Sequence, residues 1–178
     1  MAEALIPTPA TDAAGYLDRR LDLRLDEEFH LLTECAAPLP KAMDDALQVA
    51  GTPLGLGQTR ATGNGRLIRL WPARLWCLGT LPSGLDLRAT DISHGHVILR
   101  LRGPGALHFL ADYASADLRA APIRSAATLR CAIGAYAALL WWANTRDVHI
   151  AIDRSLAQSF TDHLRDLTRR HPAHHLPE

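Results

Sequence analysis

Cysteine is scarce in this chain, and its pattern excludes two kinds of cross-linked scaffold. The 178 residues contain three cysteines, Cys35, Cys77 and Cys131, and no two of them form a Cys-x-x-Cys pair. Because the number is odd and the spacing is wide, the pattern argues against a disulfide framework and against a structural zinc site. We therefore expect three reduced thiols.

Long hydrophobic segments are also missing. The longest apolar run, 132–143, is about half of the ~20 residues that a membrane-spanning helix needs, and Gly134 interrupts it. The first ten residues carry Glu3 and two prolines instead of the basic region and apolar stretch of a secretory signal. From these features we expect a cytoplasmic protein. With 48% apolar residues, a chain of this length is expected to form one full core.

Motifs for nucleotide binding and for nucleophilic catalysis are absent as well. The Gly55-Leu56-Gly57 segment lacks the third glycine and the following helix of a dinucleotide site. Ser93-His94 and Ser155 occur without a Gly-x-Ser-x-Gly elbow. No cysteine has the local signature of a catalytic thiol. The sequence thus predicts no catalytic and no cofactor-binding residue in this chain.

Histidines offer only a weak metal signal. His94 and His96 stand two residues apart, so on a strand they would point the same way. No cysteine or carboxylate follows at ligand spacing, and we interpret them as turn residues that bond nearby backbone. His171, His174 and His175 lie in a polar tail where a structural metal role is not expected. The sequence therefore predicts no metal site.

Charge is unevenly distributed along the chain although the formal net charge is zero. The first fifty residues hold ten acidic and four basic side chains, and the remainder carries the opposite excess of six. The arginines of the basic part are scattered, with no basic block and no aromatic-basic platform, so nucleic acid is not the expected partner. The acidic segment is expected to contact a neighbouring chain or the basic remainder.

Local patterns predict the secondary structure of most of the chain. Val97, Leu99 and Leu101 share one face of an extended segment, which predicts a half-buried strand. Gly103-Pro104-Gly105 predicts a tight turn after this strand. Apolar residues at helical spacing follow the turn and predict a helix. Between 16 and 35 the pattern fits a helix or a strand, and we favour a helix from about Asp26. Further strands are predicted at 66–70, 74–78, 85–92, 128–133, 136–142 and 148–152, and helices at 41–49 and 155–169.

This order of elements predicts an α+β fold with a mainly antiparallel sheet and flanking helices. Residues 1–50 are expected to form an N-terminal arm with short helices that contacts a partner. Residues 51–178 are expected to form a single α+β domain.

Three motifs carry a resemblance to a known family. The first comprises Asp91-Ile92-Ser93-His94, the strand that follows it and Gly103-Pro104-Gly105-Ala106. The second is the Trp71–Trp76 segment, and the third is Asp153–Phe160 at the predicted start of a helix. The first motif resembles a pattern of the aminomethyltransferase (glycine-cleavage T-protein) superfamily, which has a folate-binding fold. Together with the short length, the set resembles the gamma subunit of heterotetrameric sarcosine oxidase and the related gamma-type subunit of N-methylglutamate dehydrogenase. The resemblance covers roughly residues 65–170.

The resemblance implies a noncatalytic subunit. Folate-dependent members carry a Gly-Gly-hydrophobic-hydrophobic-Asp-Asp motif, whereas the corresponding stretch here, 131–144, has no carboxylate. Because acid-base chemistry needs a titratable group within reach, the chain is expected to be a scaffold. The resemblance further implies alpha, beta and delta-type partner subunits that hold FAD, FMN, NAD, zinc and tetrahydrofolate. The whole complex would oxidatively demethylate an N-methyl amino acid.

Two alternatives remain open from the sequence. A free-standing folate-binding or aminomethyltransferase-like enzyme would need a carboxylate in its pocket, and Asp91 and Asp147 are the candidates near strand ends. We expect Asp91 instead to anchor the turn before the strand. The second alternative is an interaction domain for an unrelated partner.

One strand is a candidate for partner contact. Residues 136–142 are apolar on both faces, and the predicted helices can cover only one side of the sheet. Since an uncovered apolar face is typical of an interface, Trp141 and Trp142 are the candidate interface residues.

Overall fold

Two stacked antiparallel sheets with helices on their outer faces form the protein. The computed structural model describes residues 15–18, 21–26, 31–63, 65–119 and 127–170. In chain order the described strands are β1 (Gly15–Asp18), β2 (Leu21–Leu25), β3 (Leu32–Ala36), β4 (Thr59–Thr62), β5 (Gly65–Trp71), β6 (Arg74–Gly79), β7 (Arg88–Asp91), β8 (His96–Arg102), β9 (Ala127–Ile133), β10 (Tyr136–Asn144) and β11 (Asp147–Asp153). The helices are α1 (Pro40–Val49), α2 (Ala106–Ala111) and α3 (Ala157–Arg170).

The two sheets differ in size and in the part of the chain that builds them. One sheet has six strands in the order β1-β2-β8-β11-β10-β9, and the other has five in the order β4-β5-β6-β3-β7. Every described strand pair is antiparallel. The α+β prediction with a mainly antiparallel arrangement is therefore confirmed, and two sheets replace the single one that was expected.

Three apolar layers hold these elements together. Alternate residues of the six-stranded sheet, including Leu99 and Leu140, pack against Phe109 of α2 and Phe160 of α3. The opposite face of this sheet packs on the inner face of the five-stranded sheet. On the outer face of the five-stranded sheet, α1 buries two side chains. Because β10 lies between the first two layers, it is apolar on both faces.

The turn after β8 follows the sequence prediction. Gly103 and Gly105 have φ values of 136° and 79°, which residues with a Cβ rarely adopt, and Gly105 stands directly before α2. The predicted strands at 66–70, 74–78, 128–133, 136–142 and 148–152 are confirmed with small differences at their ends. The strand expected at 85–92 is shorter and covers Arg88–Asp91.

The helix predicted from about Asp26 is wrong where the structure describes the chain. Residues 32–36 form β3, which pairs with both β6 and β7, and 21–25 form β2, which pairs with β8. Leu21 and Leu23 are buried while Arg24 is exposed, so the leucines that alternate along this segment form a strand and not the helix that their wider spacing also fits. Both sheets thus contain a strand from the first fifty residues. The contact of those residues with a partner stays a prediction.

The helix at 155–169 forms with a slightly different start. A 3-10 turn, Arg154–Leu156, precedes α3, and Asp153 makes no side-chain capping bond there. Arg169 and Arg170 occupy the last turn, where their charge favours the negative end of the helix dipole. Among the described residues, no helix is long and apolar enough to cross a membrane.

Candidate functional site

A cleft opens at one end of the layer between the two sheets. We call it the inter-sheet cleft. Its volume is about 100 Å³. Leu139 and Ala151 of the six-stranded sheet form part of its lining, and four polar or aromatic groups from both sheets join them: Trp71, Trp76, His96 and Arg130. Asp153 at the end of β11 also lines it.

The aromatic groups of the inter-sheet cleft are fixed by polar contacts. The indole N–H of Trp76 donates to Oε2 of Glu34 over 3.3 Å, and the Trp76 and His96 rings meet edge to face with centroids 4.8 Å apart. On the other side, Cζ of Arg130 lies 5.7 Å from the ring centroid of Trp71. A guanidinium at this distance over an indole is stabilised by the ring quadrupole.

His96 connects the cleft to the preceding turn. Its Nδ1 lies 3.4 Å from the carbonyl oxygen of Ile92, and its Nε2 lies 3.7 Å from Oδ1 of Asp153. His94 is exposed in the 3-10 turn Ser93–Gly95 and contributes its backbone carbonyl to Arg154. The two histidines therefore have separate surroundings. Among the described residues, no group of three or more His, Cys, Asp or Glu side chains is arranged for a metal ion.

Arg154 joins two of the motifs that carried the resemblance. Its Nε donates to the carbonyl of His94 over 2.8 Å, and its guanidinium also reaches the carbonyls of Ser93 and His96, at 3.3 and 3.1 Å. The turn after β7 is thereby tied to the start of the last helix. Since Trp71, Trp76, His96 and Asp153 line the inter-sheet cleft, parts of all three motifs meet there, whereas Gly103-Pro104-Gly105-Ala106 lies at the opposite end of β8.

The two aspartates considered for folate chemistry do not line this cleft. Asp91 accepts hydrogen bonds from the hydroxyl and the backbone N–H of Ser93, at 2.6 and 2.8 Å, and these bonds lower the pKa of Asp91. The expectation that Asp91 anchors the turn before β8 is thus confirmed. Asp147 accepts a two-pronged bond from Arg100, at 2.8 and 2.7 Å, which lowers its pKa despite partial burial.

The three cysteines are buried thiols. Burial raises the pKa of Cys35 to about 12, and the neighbouring Cys77 and Glu34 add to the effect. Burial likewise raises the pKa of Cys77 and of Cys131 to about 11. Thiols in these surroundings stay protonated at neutral pH, so they are poor nucleophiles.

Trp141 and Trp142 are both fully buried within the chain, at 0% exposure. Trp141 lies between the two sheets, and Trp142 lies in the layer that α2 and α3 cover. The sequence had suggested that one face of β10 lacks cover, but the five-stranded sheet supplies it. Neither indole offers surface to a partner in this chain alone, and a role for either in assembly stays a prediction.

Sequence reasoning missed a buried polar pair beside Trp141. Nδ1 of His149 lies 2.7 Å from Oδ2 of Asp26, and the His149 ring stacks on the Trp141 indole with centroids 5.2 Å apart. The available signal was the single histidine among apolar residues of β11, at 148–152. Arg130 was also missed, because one arginine in an apolar strand carries no motif.

Other candidate segments have plain local roles. The backbone N–H of Gly57 donates to the carbonyl of Arg69, so the glycine loop leads into the β4–β5 hairpin. Ser155 lies in the 3-10 turn before α3. The tail histidines 171, 174 and 175 lie outside the described residues.

The fold of this chain has counterparts among solved structures. It is similar to a chain in the structure of heterotetrameric sarcosine oxidase from Corynebacterium sp. U-96 in complex with pyrrole 2-carboxylate. The likeness is one of fold. The TM-score is 0.73 at 19% sequence identity, and the match covers 90% of this chain and 89% of the other. No family model and no curated protein matches the sequence.

Proposed function

We propose that this chain is a noncatalytic structural subunit, of the gamma type, in a heteromeric sarcosine oxidase-like complex. The observation that carries the proposal is the extent of the structural match. It spans nearly all of both chains, so the likeness is to a whole chain of a heterotetramer and not to one domain of a larger polypeptide. The residue motifs at the inter-sheet cleft independently resemble the same kind of subunit.

The side chains support a structural role over a catalytic one. General bases work best when their pKa lies near the working pH, whereas Asp91 and Asp147 both have lowered pKa values and are held by Ser93 and Arg100. The thiols are buried and protonated. These groups are therefore committed to the fold, which does not favour the alternative of a folate-dependent enzyme.

In the proposed complex the chemistry belongs to other chains. Partner subunits of the alpha, beta and delta type would hold FAD, FMN, NAD, zinc and tetrahydrofolate and would oxidatively demethylate an N-methyl amino acid. This chain would supply a rigid two-sheet body for their assembly. A complex of the N-methylglutamate dehydrogenase type would have a related organisation and would act on a different methylated substrate.

The test is to purify the tagged chain from cells that produce its natural partners. We expect three larger or smaller chains to co-purify in fixed ratio, with flavin absorbance and oxidation of sarcosine or N-methylglutamate in the complex. The isolated chain should be colourless and inactive. A chain that purifies alone from those cells, or one that by itself turns over a tetrahydrofolate substrate, would contradict the proposal.

A further inference from the structure

The charges around the inter-sheet cleft do not balance. Asp153 has His96 as its basic neighbour at 3.7 Å, and Glu34 beside Trp76 pairs with Arg74 at 3.4 Å. The guanidinium of Arg154 donates its hydrogen bonds to backbone carbonyls. Of the described basic residues that line the cleft, His96 and Arg130, only Arg130 has neither a carboxylate partner nor a hydrogen bond, and it contacts the Trp71 ring.

Arg130 lines the inter-sheet cleft, and the strand pairing places it away from the carboxylate of Asp153. Arg130 pairs with Leu139 across β9 and β10, and Leu139 pairs with Ala151 on β11. Asp153 is two residues further along β11, so strand spacings put its Cα about 12 Å from that of Arg130. At this separation the two side chains form no direct ion pair.

Size limits what can enter. A dry cavity of about 150 Å³ holds the six carbon atoms of a benzene molecule, so the inter-sheet cleft at about 100 Å³ encloses roughly four non-hydrogen atoms. A nucleotide, a flavin or a folate is far too large for it. The walls offer indole and aliphatic surface for a short apolar body, and the rim offers one guanidinium fork, which matches a carboxylate in shape and charge.

We propose that the inter-sheet cleft binds a carboxylate group carried on a short aliphatic body, with Arg130 as the ion-pairing residue and Trp71 and Trp76 as the apolar walls. This goes beyond the proposed function and does not depend on it. The same chemistry is found in a free short-chain carboxylic acid and in the side chain of a glutamate on another polypeptide.

The experiment titrates the full-length chain with propionate and, as the uncharged equivalent, propionamide, at constant ionic strength. Binding is followed by calorimetry and by NMR of the indole N–H signals. We expect propionate to saturate the site in the millimolar range and to shift the signals of Trp71 and Trp76, with those of Trp141 and Trp142 unchanged. Propionamide should bind at least about tenfold more weakly, because a hydrogen bond to a charged group is lost.

Three variants distinguish binding of propionate at this site from nonspecific electrostatic attraction. Arg130→Gln should weaken propionate binding about tenfold or more. Arg60→Gln, which removes an exposed arginine that does not line the cleft, should leave it unchanged. Asp153→Asn should strengthen binding, because a repelling carboxylate is removed. An unchanged melting temperature of the Arg130 variant shows that the fold is intact, since this side chain is exposed.

The proposal is overturned if propionate does not saturate, if propionamide binds equally well, or if Arg130→Gln binds like the natural chain. A further titration with N-acetylglutamate amide identifies the source of the carboxylate. Binding as tight as that of propionate assigns the cleft to an acidic side chain of another polypeptide. If N-acetylglutamate amide binds much more weakly than propionate, the cleft is assigned to a small free acid.

Discussion

Truncation of the adjacent tryptophans Trp141 and Trp142 is the perturbation whose effect the structure predicts most sharply. Trp141 and Trp142 have 0% exposure and lie in different apolar layers. A buried tryptophan withdraws about 150–250 Å² from water, which at about 25 cal/mol per Å² corresponds to roughly 4–6 kcal/mol. Measured costs of Trp→Ala in protein cores are about 3–5 kcal/mol, so we expect about 4 kcal/mol from each substitution.

Both alanine variants should therefore lose much of the folding free energy, since domains are stable by only about 5–15 kcal/mol. For a chain of this size the loss corresponds to a melting temperature lower by roughly 8–16 °C. Trp141→Phe is the matched control. It keeps a ring against His149 and removes an indole N–H that has no hydrogen-bond partner among the described residues, so it should cost about 1–2 kcal/mol.

Urea unfolding followed by far-UV circular dichroism measures these differences without depending on tryptophan fluorescence. The interface interpretation drawn from the sequence makes a different prediction, in which one alanine variant stays fully stable but fails to join its complex. An alanine variant with the natural unfolding midpoint and defective assembly would refute the burial argument. Two destabilised variants that still assemble would end the interface interpretation.

Three further predictions concern single positions in the fold. Gly65→Ala should cost about 3 kcal/mol or prevent folding, because a Cβ at this position would come within 2.2 Å of the Leu78 carbonyl oxygen on the neighbouring strand. Gly63→Ala, where no atom lies within 4 Å of the added Cβ, should be close to neutral in the same urea titration. Asp147→Asn should reduce stability near neutral pH and have little effect in strong acid, because a lowered pKa stabilises the fold above the ordinary value of 3.8 and that stabilisation is lost as pH falls through the folded value. Equal destabilisation at about pH 7 and pH 2.5 would contradict this linkage. The buried cysteines should resist iodoacetamide in the native chain and all react in denaturant, and fast labelling of the native protein would show that a thiol is accessible.

Elements with local signals were predictable from the sequence. The strand at 97–102, its turn and the helix after Gly105 follow one another within a few residues, so periodicity and turn chemistry define them. The two apolar faces of β10 also showed in the sequence. Asp91 was correctly expected to anchor its turn, because aspartate commonly bonds the backbone two residues on.

Features that depend on distant pairing were not predictable. The period-2 pattern marks a strand but does not name its partner, so the stacking of a second sheet on Trp141 was missed. The region before residue 36 was ambiguous, because leucines spaced four apart fit a helix as well as alternating leucines fit a strand. Pairing of β3 with β6 and β7 decided it. The inter-sheet cleft depends on Trp71, Arg130 and Asp153, which are far apart in the sequence.

We propose that the chain is a structural subunit of a sarcosine oxidase-like complex, and the composition of its native assembly tests this proposal most directly. The measurement is the mass of the intact native assembly that contains this chain, followed by identification of its other chains and their flavins. We predict one copy of this chain in a heteromeric assembly whose flavin resides in the other subunits. A native species that contains this chain alone, or an assembly without flavin, would contradict the account.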